Sequence, residues 1–263
     1  MNLGGRTVLL TGATGGIGAA TARALATRGA PVVLSGRRAA ELEALAAEVG
    51  GRAVPADLTD PDAPQRVVAE AGDVDVLVAN AALPASGDLT SFSIEEIDRA
   101  LAVNLRAPLV LARLLAEPMT ARGEGHLVFV SSLSGLTATP QASLYTATKF
   151  ALRGFSLGLR QDLEATGVGV SCVLPGLVRG AGMFADSGAS LPPGVGTSTP
   201  EDVARGVVLA IERDRAEVDV APLTLRAGAR IASAAPGTAW AVQKRLGAAG
   251  IARSIADGQR AKR

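Results

Sequence analysis

Short apolar runs alternate with longer stretches of helical spacing along most of the chain, which predicts strands separated by helices. The apolar runs are continuous rather than alternating in polarity, as is typical of strands buried on both faces. Strands separated by helices in this way form a parallel sheet with helices on both sides. The pattern therefore predicts a doubly wound, three-layer α/β fold. The predicted strands cover residues 7–10, 32–35, 52–55, 74–79, 127–130 and 168–174.

Capping residues mark several predicted helix starts. Asp60-Pro61 and Thr199-Pro200 each place a capping side chain before a proline, which suits the first position of a helix. Ser93 and Glu96 match a capping box at a third start.

A helix is also predicted from about Ser143, and Gly167 is expected to end it.

Residues 176–198 are rich in Gly, Pro and Ser and show no period. This segment therefore predicts a mobile loop without regular structure.

The chain has 263 residues, of which 48% are hydrophobic and 19% are charged. These values suit one folded domain and no disordered charged arm. The formal net charge of +1 gives no general attraction to nucleic acid, which is therefore not expected as a partner. No apolar run approaches the roughly 18 residues of a membrane span. Residues 1–6 lack the basic flank and apolar stretch of a secretion signal, so a cytoplasmic protein is expected.

The single cysteine and the single histidine do not suggest chemistry. Because Cys172 is the single cysteine, a disulfide within the chain is excluded. It lies in an apolar run, which favours core packing over a reactive thiol. His126 has no cysteine or acidic partners at metal-ligand spacing and is interpreted as a surface or strand-end residue. No metal site is predicted.

A glycine cluster follows the first predicted strand, in the segment Thr11-Gly12-Ala13-Thr14-Gly15-Gly16-Ile17-Gly18. Such glycines let the backbone turn tightly and approach a pyrophosphate at the N-terminus of a helix that begins near Ile17. Taken alone, the cluster also fits ordinary turns.

The segment Leu34-Ser35-Gly36-Arg37-Arg38 ends the second predicted strand. A carboxylate that would hold the ribose hydroxyls of NAD is missing from this position. The guanidinium of Arg37 would instead pair with the 2′-phosphate of NADP(H), which is the predicted cofactor. The alternative is a pair of solvated arginines at a helix start.

Tyr145 lies thirteen residues after Ser132 and four residues before Lys149. In a helix, Tyr145 and Lys149 share one face, so the ammonium would favour phenolate and lower the tyrosine pKa. Such a phenol can exchange a proton with an alcohol or ketone oxygen near neutral pH. Each residue also has a structural alternative, since Ser132 could form a turn and Tyr145 could pack in the core.

With these motifs in this order, the chain resembles the short-chain dehydrogenase/reductase family, in its ordinary short branch, over roughly residues 5–222. The resemblance implies a Rossmann-type fold and a catalytic role for Asn104, Ser132, Tyr145 and Lys149. Asn104 would orient Lys149 through a bound water, although alone it could be a helix residue that bonds a nearby loop. The glycine spacing also fits the longer, sugar-nucleotide-modifying branch, but the chain length and the interval from Ser132 to Tyr145 decide against that branch.

The resemblance also implies a set of cofactor-binding residues. Two departures concern its nicotinamide half: Ala82 replaces a usual glycine, and Gly180 stands where many relatives have a threonine that bonds the nicotinamide amide. The implied residues are Gly12, Thr14, Gly16, Ile17, Gly18, Arg37, Asp57, Leu58, Asn80, Ala81, Tyr145, Lys149, Pro175, Gly176 and Val178.

These residues predict an oxidoreductase that transfers a hydride between NADP(H) and a small-molecule carbonyl or secondary alcohol. The alternative is a catalytically idle NADP(H) sensor or partner subunit. Relatives of this kind are usually dimers or tetramers, so a homodimer or homotetramer is expected. The loop of residues 176–198 is expected to close over the substrate. The residues expected to line the pocket favour an apolar substrate and are Leu83, Leu133, Leu136, Pro140, Met183 and Phe184.

Residues 223–263 form a basic extension after the predicted single domain of residues 1–222. The extension carries eight Arg or Lys residues against the single acid Asp257, and Arg226 and Arg230 share a helical face. One or two short helices are predicted, with a break at Pro236-Gly237. We expect the extension to pack on its own core or on a partner subunit rather than on an anionic membrane. Its expected apolar anchors are Trp240, Leu246 and Ile251.

Overall fold

The computed structural model describes residues 1–189, 195–245 and 248–260. In this described part, seven parallel strands form one sheet in the order β3-β2-β1-β4-β5-β6-β7. The strands are β1 (Val8–Thr11), β2 (Val32–Gly36), β3 (Arg52–Pro55), β4 (Val76–Ala79), β5 (Gly125–Val130), β6 (Val168–Pro175) and β7 (Glu217–Val220). The predicted three-layer α/β architecture is confirmed.

Helices cover both faces of the sheet. They are α1 (Gly16–Ala26), α2 (Ala39–Val49), α3 (Ala63–Ala71), α4 (Ile94–Leu101), α5 (Ala107–Arg122), α6 (Ser143–Asp162), α7 (Met183–Asp186), α8 (Pro200–Glu212), α9 (Leu223–Ala234), α10 (Pro236–Arg245) and α11 (Ala248–Gln259). A π-helical segment, Ala102–Arg106, joins α4 to α5. None of the described helices is long and apolar enough to cross a membrane.

The core has two main layers because successive strand residues point to opposite faces of the sheet. In β1, Val8 and Leu10 belong to one apolar cluster, and Leu9 belongs to the other. In the second layer, the rings of Phe129 and Phe155 meet edge to face, with centroids 5.5 Å apart. The continuous apolar strands are thus buried on both faces, as predicted.

The edge strand β7 was not predicted from the sequence. Its segment Glu-Val-Asp-Val carries two acids and so lacks the apolar run of a central strand. Glu217 and Asp219 are nevertheless held at the sheet edge because Arg230 of α9 pairs with both of them at 2.8 Å. Arg153 of α6 pairs with Glu217 as well. The acids therefore join β7 to two helices.

Two of the predicted caps are confirmed, and one is wrong. Ser93 with Glu96, and Thr199 with Asp202, form capping boxes at the starts of α4 and α8. Asp60 does not cap a helix that begins at Pro61. Its Oδ1 atom accepts the Asp62 N–H at 2.9 Å in a turn, so α3 begins only at Ala63.

Two further segments differ from the prediction. The helix that begins at Ser143 ends at Asp162, and a separate 3-10 turn, Glu164–Thr166, leads to Gly167. The segment of residues 176–198 contains the helix α7, and its ends are paired through a parallel bridge from Val178 to Ser198. Residues 190–194 of the predicted loop lie outside the described residues.

The histidine and cysteine are both internal. His126 lies near the start of β5, but it is buried and its Nε2 atom is 2.8 Å from the Ser171 hydroxyl, so the surface interpretation is wrong. Burial lowers its pKa to about 4. Cys172 is fully buried in β6, which confirms its predicted core packing.

The C-terminal extension is helical and packs on its own core. Ala229 of α9 is buried in a cluster with Leu133, Leu136 and Leu174. The break at Pro236 is confirmed, since α9 ends at Ala234 and α10 begins at Pro236.

The predicted apolar anchors of the extension have different outcomes. Trp240 does not anchor it, because that residue is 64% exposed, with the Lys244 ammonium 5.7 Å from its ring centroid. Leu246 lies outside the described residues, as does the side chain of Ile251.

Candidate active site

The carboxyl ends of the central strands lie along the same side of the sheet. A crevice is expected there between β1 and β4, where the strand order reverses. In an open parallel sheet this crevice is the usual place for a ligand. The glycine cluster follows β1, and Asn80 and Ser132 follow β4 and β5. The topology thus brings the sequence-predicted motifs to one edge.

The glycine turn requires glycine at two positions. Gly12 has a φ of 66°, and a Cβ atom there would lie 2.7 Å from the Cα atom of Ala81. A Cβ atom at Gly18 would lie 2.2 Å from the carbonyl oxygen of Gly12. Side chains at either position would therefore force the turn open. The turn ends where α1 begins at Gly16, so the N-terminus of that helix faces the crevice.

Asn80 and Ala81 fix the turn from the next strand. The Thr11 hydroxyl accepts hydrogen bonds from both backbone N–H groups at 3.2 Å. The Asn80 side-chain amide donates to the carbonyl oxygens of Thr11 at 3.1 Å and Gly12 at 3.2 Å. The predicted Asn80 and Ala81 pair therefore supports the backbone of the glycine turn.

Two arginines follow β2 and have different environments. Arg37 is exposed and makes no hydrogen bond within the described part of the chain. Arg38 donates a 2.6 Å hydrogen bond to the carbonyl oxygen of Thr14 and pairs with Glu41 at 3.0 Å. Sequence reasoning selected Arg37 and missed this contact of Arg38 with the glycine turn. The sequence sign that could have identified Arg38 is that it directly follows Arg37.

Asp57 and Leu58 lie beyond β3. The Asp57 Oδ1 atom accepts hydrogen bonds from the backbone N–H of Thr59 at 3.0 Å and from its hydroxyl at 2.9 Å. Asp57 is exposed, whereas Leu58 is buried in a small apolar cluster with Leu83. Asp57 thus keeps an oriented carboxylate at the protein surface, just after β3.

A cavity of about 730 Å³ lies between the sheet edge, α6, α7 and the C-terminal helices. Ser132, Tyr145 and Lys149 all line it. Of the pocket residues predicted from the sequence, Leu133, Pro140, Met183 and Phe184 also line it. The prediction is wrong for Leu83 and Leu136, whose side chains pack in core clusters.

Lys149 is a buried lysine with a single defined acceptor. It is 2% exposed, and its Nζ atom donates a 3.0 Å hydrogen bond to the carbonyl oxygen of Val130. Burial lowers its pKa to about 8. The hydroxyl of Ser131 donates to the carbonyl oxygen of Lys149 at 3.0 Å, so a second serine braces the lysine backbone. Neither Ser131 nor the Val130 carbonyl was predicted, and no sequence signal distinguishes them.

The phenol of Tyr145 differs from the sequence-based expectation. The Nζ atom of Lys149 lies 5.6 Å from the centroid of the Tyr145 ring, so the predicted adjacency is present. The expected lowering of the tyrosine pKa is wrong, because burial raises it and a hydrogen bond with Ser132 only partly offsets that effect. Tyr145 is therefore a protonated phenol at neutral pH.

The Ser132 hydroxyl is oriented by its neighbours. It accepts the backbone N–H of Ser134 at 3.1 Å and donates to the carbonyl oxygen of Pro175 at 3.4 Å. Gly176 follows and donates its N–H to the carbonyl oxygen of Val220 at 2.9 Å. Pro175, Gly176 and Val178 all line the cavity. The turn after β6 is thus joined to both the catalytic candidate and the edge strand.

Asn104 holds a loop rather than contacting the lysine. It is buried in the π-helical segment, its Oδ1 atom accepts the Leu83 N–H at 2.6 Å, and its Nδ2 atom donates to the Leu83 carbonyl oxygen at 3.0 Å. These contacts match the structural alternative for Asn104 and fix the segment that follows Asn80 to Ala82. Ala82 itself lines the cavity.

Comparison with known proteins gives consistent relatives. A family model described as short chain dehydrogenase matches residues 6–191. Ketoacyl reductase HetN of Nostoc sp. is 39% identical over 227 residues, which are 83% of this chain and 79% of that protein.

Two solved structures cover nearly the whole chain. A short-chain dehydrogenase from Sphingobium yanoikuyae in complex with NADPH has a TM-score of 0.77 at 29% identity, over 91% of this chain and 95% of its own. The bulky-bulky ketone specific alcohol dehydrogenase of Comamonas testosteroni has a TM-score of 0.75 at 26% identity, over 94% of each chain.

Proposed function

This chain belongs to the short-chain dehydrogenase/reductase family, and we propose that it transfers a hydride between NADP(H) and an apolar carbonyl or secondary-alcohol substrate. The observation that carries the proposal is the convergence of Ser132, Tyr145 and Lys149 on one cavity beside the glycine turn. A proton donor, a second hydrogen-bond donor and a cation are the groups that a carbonyl reduction needs around its oxygen.

The residues of the crevice fit a dinucleotide. The turn at Gly12 and Gly18 leaves no room for side chains, which suits the close approach of a pyrophosphate to the backbone. The N-terminus of α1 adds a partial positive charge at the same place. Bound NADP(H) would supply or accept the hydride. Asp57 would contact the adenine, and Lys149 would hold the nicotinamide ribose.

The proposed choice of cofactor is based on the charge at the end of β2. Arg37 is exposed and unpaired within the described residues, and Arg38 lies against Thr14 of the glycine turn. A 2′-phosphate placed there would meet guanidinium groups and no carboxylate from Gly36, which supports NADP(H) over NAD(H). The Sphingobium yanoikuyae relative, solved in complex with NADPH, adds support.

Proton transfer is assigned to Tyr145. Like an ordinary tyrosine, the phenol carries its proton at neutral pH, and it can donate that proton to the alkoxide oxygen that forms during reduction. The Ser132 hydroxyl would bond the same oxygen and stabilise its negative charge. After the transfer, the Lys149 ammonium, 5.6 Å from the ring centroid, would stabilise the phenolate. Asn104 would act at a distance, by fixing the loop that begins at Leu83.

The proposed substrate class is based on the residues that line the cavity. Its wall is formed largely by apolar side chains such as Leu133, Met183 and Phe184, which favours an apolar compound. The relatives named for ketoacyl reduction and for bulky ketones support a carbonyl substrate.

Self-association is part of the proposal. Ile94 and Leu101 of α4 and Phe150 of α6 are 69%, 37% and 42% exposed. Exposed apolar side chains on two helices that touch each other suit a contact with a second copy. Sedimentation should therefore give a dimer or a tetramer.

The experiment that tests the function is the oxidation of NADPH by the purified chain with a panel of neutral ketones. Ketone-dependent loss of NADPH with appearance of the secondary alcohol is the expected result. Tight NADPH binding without turnover of any ketone, or of any secondary alcohol with NADP⁺, would instead identify a nucleotide sensor.

A further inference from the structure

The far wall of the cavity is built by the C-terminal helices, which lie beyond the segment that the family model matches. Ala229 and Ala232 of α9, Ala239 of α10, and Ala252 and Ile255 of α11 all face the cavity. These side chains are small or apolar, so they shape the space without supplying chemical groups.

The helix α9 is fixed in its position. Ala229 and Ala232 are 6% and 9% exposed, and the first of them packs on Leu133, which itself lines the cavity. On the other side, Arg230 is paired with Glu217 and Asp219 of β7. The helix α9 is therefore held by apolar packing and by ion pairs, and is not a loose tail.

The helix α11 is fixed to α7. A Cβ atom at Gly258 would lie 2.0 Å from the carbonyl oxygen of Ser187, so the two backbones touch and only glycine fits. The side-chain amide of Gln259 donates a 3.0 Å hydrogen bond to the carbonyl oxygen of Met183, and Ala256 is 2% exposed. Since Met183 and Phe184 line the cavity as well, α7 and α11 close it together.

The described lining of the cavity carries little charge. Among the described residues that line the cavity, Lys149 is the only charged one, and it is buried at the catalytic end. A carboxylate or phosphate on the distal part of a substrate would lose its hydration there without gaining a counter-ion. The wall thus disfavours ionised substrates.

We propose that residues 223–245 and 248–260 are the specificity element of this enzyme, and that they select neutral ketones or secondary alcohols with a bulky apolar group on the side away from Tyr145. The inference rests on the proposed function, because it assigns the substrate of the same site. The proposed function requires only that ketones be reduced. The inference also requires that filling the far wall change the relative kcat/KM values of different ketones.

The test compares benzylacetone, which carries a bulky apolar group, with the small ketone butanone. Ala232→Phe fills the wall, and Ala234→Phe makes the same change at an exposed position of α9 outside the lining. We expect Ala232→Phe to lower kcat/KM for benzylacetone by a factor at least about ten times larger than the factor by which it lowers kcat/KM for butanone. The Ala234→Phe control should match the wild type with both ketones.

A second pair of variants covers the case in which Ala232→Phe does not fold, as judged by its melting temperature. Ala252→Phe fills the wall from α11, where the side chain is only half-buried, and Ala249→Phe is its exposed control. The same selective loss of benzylacetone reduction is expected for Ala252→Phe.

The charge requirement is tested with levulinate and its methyl ester, which have the same ketone and differ in one negative charge. We expect kcat/KM to be at least about tenfold higher for the ester. Equal values for acid and ester, or equal losses of both ketones in the wall-filling variants, would overturn the inference while leaving the proposed function standing. A wild-type enzyme that reduces none of these ketones would overturn both.

Discussion

The Nζ atom of Lys149 lies 5.6 Å from the centroid of the Tyr145 ring while it donates a 3.0 Å hydrogen bond to the carbonyl oxygen of Val130. The strand carbonyl thus holds the ammonium over the Tyr145 ring. A cation in this place has little effect on a neutral phenol but stabilises the phenolate that remains once the proton has left. This geometry supports the proposed role of Lys149 in stabilising the phenolate after proton transfer.

Replacing Lys149 by Met should change the pH dependence of stability. The folded-state pKa of about 8 lies below the ordinary value of 10.5, so between these values the unfolded chain binds more protons. The free energy of unfolding of the wild type should therefore rise with pH in that window, relative to Lys149→Met. Urea unfolding of both proteins between about pH 7 and pH 10 measures this. Parallel stability curves would show that the lysine is not desolvated as described.

Replacing Arg37 by Asp should abolish the nucleotide preference. Arg37 is exposed at the end of β2, and a carboxylate there would repel the 2′-phosphate and could bond the ribose hydroxyls of NADH. We expect the wild type to bind NADPH more tightly by about 1–3 kcal/mol, and the variant to lose that preference. Titration of each protein with both nucleotides gives the two affinities.

The matched control for Arg37 is Arg113→Asp, which changes the same charge on the exposed surface of α5. Its affinity ratio should stay at the wild-type value. If Arg37→Asp and Arg113→Asp had the same ratio of NADPH to NADH affinity, Arg37 would not bind the 2′-phosphate.

Replacing Arg230 by Met should loosen α9 from the sheet edge. The Asp219 side chain is only 10% exposed, so the loss of Arg230 leaves its charge in a poorly hydrated place, whereas Glu217 keeps its pair with Arg153. We expect the free energy of unfolding to fall by about 1–3 kcal/mol. Arg113→Met, which breaks an exposed i, i+4 pair, should change it by about 0.5 kcal/mol or less. Equal losses in the two variants would mean that the Arg230 pairs do not hold the helix.

Much of the fold and of the catalytic cluster could be predicted because the signals are local. The buried strands are continuous apolar runs, and the capping box at Ser93 and Glu96 lies within one turn of helix. Tyr145 and Lys149 share a face through helical spacing alone.

The features that could not be predicted depend on residues distant in the sequence. The strand β7 carries the acids Glu217 and Asp219, and it becomes a strand only where Arg153 and Arg230 reach it from two helices. The direction of the Tyr145 pKa shift reflects the surroundings that the fold places around the ring, which no short segment encodes. Likewise, Asn104 bonds Leu83 across a gap of 21 residues.

The turnover of Tyr145→Phe tests the central claim most directly. The variant removes the phenol oxygen and keeps the ring, so NADPH binding should be little changed. Ketone-dependent NADPH oxidation should fall by about a hundredfold or more, because no group replaces the proton donor. Measuring kcat with benzylacetone and the NADPH affinity of both proteins gives the answer. A variant that keeps near-wild-type turnover would contradict the assignment of Tyr145 as the proton donor.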